Sequence, residues 1–254
     1  MIESYDFLPD LKAVRKLRRQ QDWYPQVAQI KRSYQPSTKT STLLSGLLAW
    51  WTLNEQSGNR ADSSGNGKTM LQTGSITGAA GFGSMGNVSV WDGNNANYLA
   101  TGTALFTSGS WTIAGWVLTN SLTAHNFFAQ GPSGSAAKQR IFFGVGAHLS
   151  VIVDGVNTDA GAATISTGVW YHVAVTYDTV TVNGYLNGSG TPELSHARTA
   201  DYTGVNDCRL GINTSTVQPL NGQEVGVGVW NRVLTSTEIS NLYNGGNGVQ
   251  YVGF

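Results

Sequence analysis

The sequence predicts an all-β fold: a two-sheet antiparallel sandwich with a short helical N-terminal arm and one short C-terminal helix. Three observations carry this. Glycine occurs 32 times beside eight tryptophans, ten tyrosines and many Thr, Ser, Asn and Val, a turn-dense, β-prone composition in which only 12% of residues are charged. From Leu43 onward, short apolar runs alternate with Gly, Asn and Ser turns. The beginning differs in kind: residues 1–42 carry eight Lys or Arg against four acids, and residues 43–254 carry seven against eleven. The chain therefore divides into a basic arm and linker, 1–42, and a domain, 43–254.

In the arm, LPDLKAVRKLRRQ repeats Leu8, Leu11, Val14 and Leu17 every three residues, with Lys12, Arg15, Lys16, Arg18 and Arg19 between them. This spacing predicts an amphipathic helix with Asp10 as its cap. An isolated helix of about a dozen residues is marginal in water, so the stripe must dock on something. The candidates are the chain's own sandwich, other copies or a larger assembly, and a membrane surface or nucleic acid. Leu11, Arg15, Lys16, Arg18 and Arg19 are the expected assembly contacts. The arm lacks the interleaved aromatic platform of a nucleic-acid binder, and the net charge is zero, so no nucleic-acid partner is expected. Val27, Ile30 and Tyr34 continue a short pattern after Pro25, and QPSTKTSTLLSG reads as a polar linker.

No stretch approaches the roughly twenty apolar residues of a membrane span, and MIESYDFLPD has acids where a secretion signal has cations. Export by that route is not expected. The single Cys208 excludes an intramolecular disulfide and reads as a small buried side chain.

The strands announce themselves as LLAWWTL, VSVW, WTIAGWVL, RIFFGV, LSVIV, VWYHVAVTY and VGVGVW. In VWYHVAVTY, Tyr171, Val173, Val175 and Tyr177 share the core face, leaving Trp170, His172, Ala174 and Thr176 on a half-exposed one. VGVGVW sets Val225, Val227 and Val229 on one face and Gly226 and Gly228 opposite, where a neighbour can lie close. Asn187-Gly188 predicts a hairpin turn. Near the end, LTSTEISNLYNGG predicts a helix, with Thr235 and Glu238 as a capping box, Ile239, Leu242 and Tyr243 as its stripe and Gly245 closing it.

The order of LLAWWTLNEQSGNRADSSGNG, GFGSMGNVSVWDGNNANYL, SWTIAGWV, TGVWYHVAVTYD, YLNG and VWNRVLTSTEISNLYNGG resembles the laminin-G-like family of concanavalin A-like jelly rolls, over about Leu43 to Gly248. It is similar in particular to modules of bacterial surface proteins and of tailed-phage or other virion proteins. The resemblance implies a jelly-roll sandwich. Relatives often bear a calcium, many with acidic residues in the penultimate strand. Here the matching positions hold Val225 and Gly226, with Glu224 out of step by one.

Several motifs compete for function. GFGSMG matches GxGxxG, but a strand follows it where a dinucleotide site needs a helix, so it reads as a glycine-rich loop. ADSSGNGK ends without the Lys-Ser/Thr of a phosphate loop. Its Asp62 is expected to hold an Asx-type turn, with Ca2+ as the alternative, since hard cations want six to eight oxygen ligands. Otherwise no cofactor is expected. Glycosidases need two carboxyls on one strand floor, and no E-x-D-x-E string exists. His172 reads as structural, and four histidines without paired spacing do not predict zinc. Trp91, Trp111, Trp116, Trp170 and Trp230 read mostly as core. A carbohydrate surface needs exposed rings beside donors, and the candidates are Trp50, Tyr98, Tyr185 and, in the loop TNSLTAHNFFAQGPSGSAAKQR, His125, Asn126, Phe127 and Arg140.

The expected protein is therefore non-catalytic. One reading is a structural or decoration protein of a larger assembly such as a virion or capsid surface, docked on itself or neighbouring subunits by its arm. The alternative is a free-standing lectin-like module for cell-surface glycans. The expected location is a virion or other extracellular assembly surface reached without a signal peptide, with the cytoplasm as the alternative.

Overall fold

A computed structural model describes residues 41–123 and 125–251, and the chain divides between Thr40 and Ser41. The division falls two residues before the expected boundary. Ser41–Leu44 forms a short helix, α1, whose Leu43 is buried and whose Leu43 carbonyl accepts a 2.7 Å bond from Trp230 Nε1. Leu11, Arg15, Lys16, Arg18 and Arg19 lie outside the described residues.

Among the described residues, fifteen strands form two sheets, and every described pairing is antiparallel. The eight-stranded sheet runs β13 (Leu194–Ala197), β12 (Thr181–Leu186), β11 (Trp170–Tyr177), β6 (Trp111–Thr119), β15 (Asn221–Trp230), β4 (Asn87–Asp92) and β3 (Thr77–Ala80), with β1 (Leu47–Trp51) also on β15. The seven-stranded sheet runs β10 (Asp159–Thr164), β9 (His148–Ile152), β8 (Gln139–Phe143), β7 (His125–Gly131), β14 (Asp207–Leu210), β5 (Tyr98–Ala100) and β2 (Leu71–Thr73). This is the expected antiparallel sandwich. Between the sheets lie Trp51, Trp91, Trp111, Phe127, Phe128, Ile141, Val173, Val175 and Tyr177 with their neighbours. Each such burial contributes about 1.5–3 kcal/mol.

The alternation of β11 holds on its core face. Its other face is not half-exposed: His172, Ala174 and Thr176 are buried, and only Trp170 is partly open. The cause is the C-terminal helix α2 (Ser236–Tyr243), whose Ile239 and Leu242 pack with Leu43, Trp50, Ala174 and Trp230 in a second core outside the sheet. The capping box forms as expected, with Thr235 accepting from the Glu238 amide, and Asn244 caps the other end in the left-handed region.

In β15 the even alternation fails. Val227 and Val229 face the inter-sheet core, but Val225 faces outward beside Met85, Val88 and Trp116. A register shift between Val225 and Gly228 explains this, with Gly226 at φ +60° taking the extra residue. Gly228 does admit close neighbours, since a Cβ there would stand 2.5 Å from the Trp230 ring and 2.7 Å from Trp50. Asn187 and Gly188 both hold positive φ, but β13 starts only at Leu194, so their turn opens a longer loop. GFGSMG joins β3 to β4, strand to strand, closed by Gly81 N donating to Gly86 O at 2.7 Å.

Candidate functional site

α2 and the second core cover only part of the outer face of the eight-stranded sheet. Beside them one row stays open. Trp170 stands opposite Leu118, Leu118 opposite Gln223, Gln223 opposite Val90, and Val90 opposite Thr77, so five strands present these side chains in line on one face. The first four are half-buried and Thr77 is exposed. At one end Phe82, from the β3–β4 loop, packs against the Trp170 ring at 4.7 Å and against Trp116 at 4.8 Å, fixing the indole in place. In the middle, the Gln223 amide has no hydrogen-bond partner in the described chain. The adjacent row carries Asn221 paired in register with Asp92, and Asn120 Nδ2 donates to Asn221 Oδ1 at 3.3 Å. Asp92 accepts from the Asn94 amide at 2.9 Å and from Asn97 Nδ2 at 3.0 Å. The result is a flat strip with a fixed ring, apolar aliphatic ground, and amides offering both donors and acceptors.

The seven residues expected from the sequence to bind sugar are not brought together. Trp50, 2% exposed, points outward from β1 into the second core, where it meets Trp230 edge-on at 6.0 Å. Phe127, 1% exposed, lies between the sheets. Neither presents a ring face to solvent, because β1 runs beneath α2 and the supposed loop around Phe127 is a strand, β7, paired with β8 and β14. Tyr185 is half-buried against the second core. His125 is buried, its Nδ1 2.5 Å from the Pro219 carbonyl oxygen. Asn126 and Arg140 do meet, Arg140 Nε donating to Asn126 Oδ1, on the other sheet. Tyr98 lies on that sheet too, under the Arg209 guanidinium at 4.6 Å.

Asp62 holds a turn. Its Oδ1 accepts from Trp50 N at 3.1 Å, Ser64 N at 2.9 Å and Ser64 Oγ at 2.6 Å, and its Oδ2 accepts from Lys68 N at 2.9 Å. Burial opposes ionisation, but the Ser64 hydroxyl and the backbone donors outweigh it, so the carboxyl titrates below its usual value. Four donors aimed at one carboxylate are the reverse of a cation's oxygen cage, so the Ca2+ alternative does not fit Asp62. Glu224 does not serve a rim site either, since it faces the inter-sheet core opposite Ser89 and Val117.

A family model, the concanavalin A-like lectin/glucanases superfamily, matches residues 92–240, more than half of the chain. The chain belongs to this superfamily. Domain 4 of an extracellular arabinanase from Geobacillus stearothermophilus, solved with arabinotriose, is similar at 23% identity and a TM-score of 0.60, covering 77% of this chain and 97% of that one. The binding domain of Paraclostridial Mosquitocidal Protein 1 is similar at 14% identity and TM-score 0.60, over 78% and 52% of the two chains. The botulinum neurotoxin serotype G binding domain follows at 15% and 0.59, over 78% and 50%. The chain thus spans about half the length of those toxin domains, and 32% of a Trypanosoma rangeli sialidase chain at 16% identity. No curated protein matches the sequence.

A superfamily that spans lectins and glucanases makes the carboxylates decisive. Among the described residues, no three His, Cys, Asp or Glu side chains converge as a metal site would require. One carboxylate, Asp154, lines an open groove of about 470 Å³ together with Thr179, Val180, Ala197, Arg198 and Thr199, and Arg198 sits between it and Asp159, which is buried outside that lining. It contacts Asp159 through Nη2 at 2.5 Å and Nε at 3.0 Å. For Asp154, burial opposes ionisation, and the Asn157 and Val156 hydrogen bonds with the Arg198 charge outweigh it, drawing its pKa down. A glycosidase acid needs the opposite shift.

Proposed function

We propose that this superfamily member is a non-catalytic carbohydrate-binding module that takes a neutral glycan along the Trp170–Thr77 strip. The observation that carries it is the half-open Trp170 ring in line with an amide, Gln223, that has no partner in the described chain. A pyranose or furanose face can lie on the indole while its hydroxyls exchange hydrogen bonds with Gln223, Asn221 and Asn120. The similar arabinanase domain was solved with arabinotriose, which supports a sugar ligand and names a first probe.

Covering about 100 Å² of ring face contributes roughly 2–3 kcal/mol, so Trp170→Ala is expected to weaken binding about 30- to 150-fold. Gln223→Ala should cost about 0.5–1.5 kcal/mol, the net worth of a neutral hydrogen bond. Calorimetric titration with arabinotriose and a panel of neutral oligosaccharides measures both. A panel without a single binder rejects the reading.

A second element rests on the arm. The apolar stripe of Leu8, Leu11, Val14 and Leu17 beside a surplus of four positive charges supports docking of residues 1–42 on other copies or a larger assembly, with the sandwich displayed outward on a virion or similar surface. Light scattering on the full chain should then show an oligomer that Leu11→Asp with Leu17→Asp reduces to a monomer. A wild-type monomer at all concentrations removes self-assembly from the proposal.

A further inference from the structure

We propose that Arg140 and Arg209 form an anion site on the outer face of the seven-stranded sheet, one that takes a carboxylate and is separate from the Trp170 strip. Arg140 stands opposite Ala129, and Ala129 opposite Arg209, so both arginines rise from one row on the same face with only a methyl group between them. Strand spacing puts their Cα atoms about 10 Å apart.

Both side chains are more than nine-tenths buried, at 7% and 4% exposure. Arg140 Nη2 and Arg209 Nη1 are buried with no hydrogen-bond partner. Arg209 is partly compensated, its Nε donating to Asp207 Oδ2 at 2.8 Å and its Nη2 to the Ser133 hydroxyl at 3.1 Å. Arg140 is not. Its guanidinium lies 3.8 Å above the Phe142 ring, its Nε donates to the neutral Asn126 Oδ1, and no described carboxylate is within ion-pair distance.

A buried cation without a counter-charge is costly, and truncating or omitting a partner leaves that cost in place. Burial does lower the Arg140 pKa, to about 10, which still leaves a full charge at neutral pH. A carboxylate supplies what is missing: one negative charge and two acceptor oxygens that match the planar fork of a guanidinium. Half-buried Ile152 and Ala100 continue the row at its two ends, and half-buried Tyr98 lies beside Arg209, so the row reaches solvent on either side.

The test is calorimetry and thermal melting of the full chain with sodium glucuronate, sodium acetate and glucose at constant ionic strength, for wild type, Arg140→Met and Arg140→Lys. We expect glucuronate to bind the wild type and raise its Tm, glucose to do neither, and Arg140→Met to lose the binding while melting no lower than the unliganded wild type. Arg140→Lys keeps the charge without the fork and should bind at least tenfold more weakly. Acetate binding alongside glucuronate assigns a free carboxylate, and glucuronate alone assigns a sugar acid; both support the site. No binding of either acid, equal binding of glucose, or binding unchanged in Arg140→Met overturns it. Neutral-glycan binding lost in Trp170→Ala but kept in Arg140→Met would leave the proposed function standing whichever way this result falls.

Discussion

Acidification from pH 6.5 to 3 is expected to cost the folded sandwich roughly 4–5 kcal/mol through His172 alone. The imidazole is fully buried beneath α2, 5.3 Å from the Trp116 ring and 6.1 Å from Tyr243, and its Nδ1 has no hydrogen-bond partner. Burial pushes its pKa down from 6.5 to about 3. Between those values the unfolded chain binds a proton that the folded chain refuses, so stability falls as pH falls, at about 1.4 kcal/mol per pH unit. Above 6.5 neither state is charged and the effect vanishes. His172→Phe keeps an aromatic ring among rings and forfeits no Nδ1 hydrogen bond, so the stability of this variant relative to wild type should rise steadily as pH falls from 6.5 to 4.5, as read from denaturant midpoints. Carboxylates such as Glu238, drawn to about 2 by the Arg232 contacts against the opposing pull of burial, weaken the fold only below their unfolded values near 4.5. The interval from 4.5 to 6.5 therefore isolates the histidine from that group. A His172→Phe profile parallel to wild type across it would refute the assignment.

Glu224 produces the opposite limb. It is fully buried facing the inter-sheet core, neither oxygen has a partner, and burial raises its pKa well above 4.5. For an acid raised in the folded state, stability is complete below the unfolded value and is lost as pH climbs toward the folded one. Above pH 4.5 the two slopes oppose, so wild type should gain less stability on raising the pH than His172 alone would give. Glu224→Leu should be more stable than wild type at pH 7 by about 1–3 kcal/mol, the cost of an unsatisfied buried polar group. Its profile should climb to pH 6.5 and then level. A variant that melts below wild type at pH 7 would mean that Glu224 has a partner in solution and is not a burden on the core.

Much of the architecture was legible in local pattern. The period-two run of Tyr171, Val173, Val175 and Tyr177 predicts its core face, Thr235 and Glu238 predict the helix start, and Asp62 with Ser64 predicts a turn, because each depends on residues a few positions apart. The surfaces were not legible in the same way. Alternation assigns His172 and Trp170 to one face but cannot say that α2 covers the first and spares the second. Trp50 looked available for the same reason. One left-handed glycine, Gly226, was enough to turn Val225 away from Val227 and Val229, since a single inserted residue reverses every later side chain on a strand.

What the sequence determined by itself is therefore the fold class, the strand faces outside bulges and the local caps and turns, all set by steric periodicity and short-range hydrogen bonding. Only the tertiary structure decided which faces stay open and which distant side chains become neighbours. Trp170 comes into one row with Gln223, and Arg140 into one row with Arg209, through antiparallel register between strands far apart in the chain. That register is chosen by how the two sheets bury their apolar faces against each other, a collective balance that no single segment encodes.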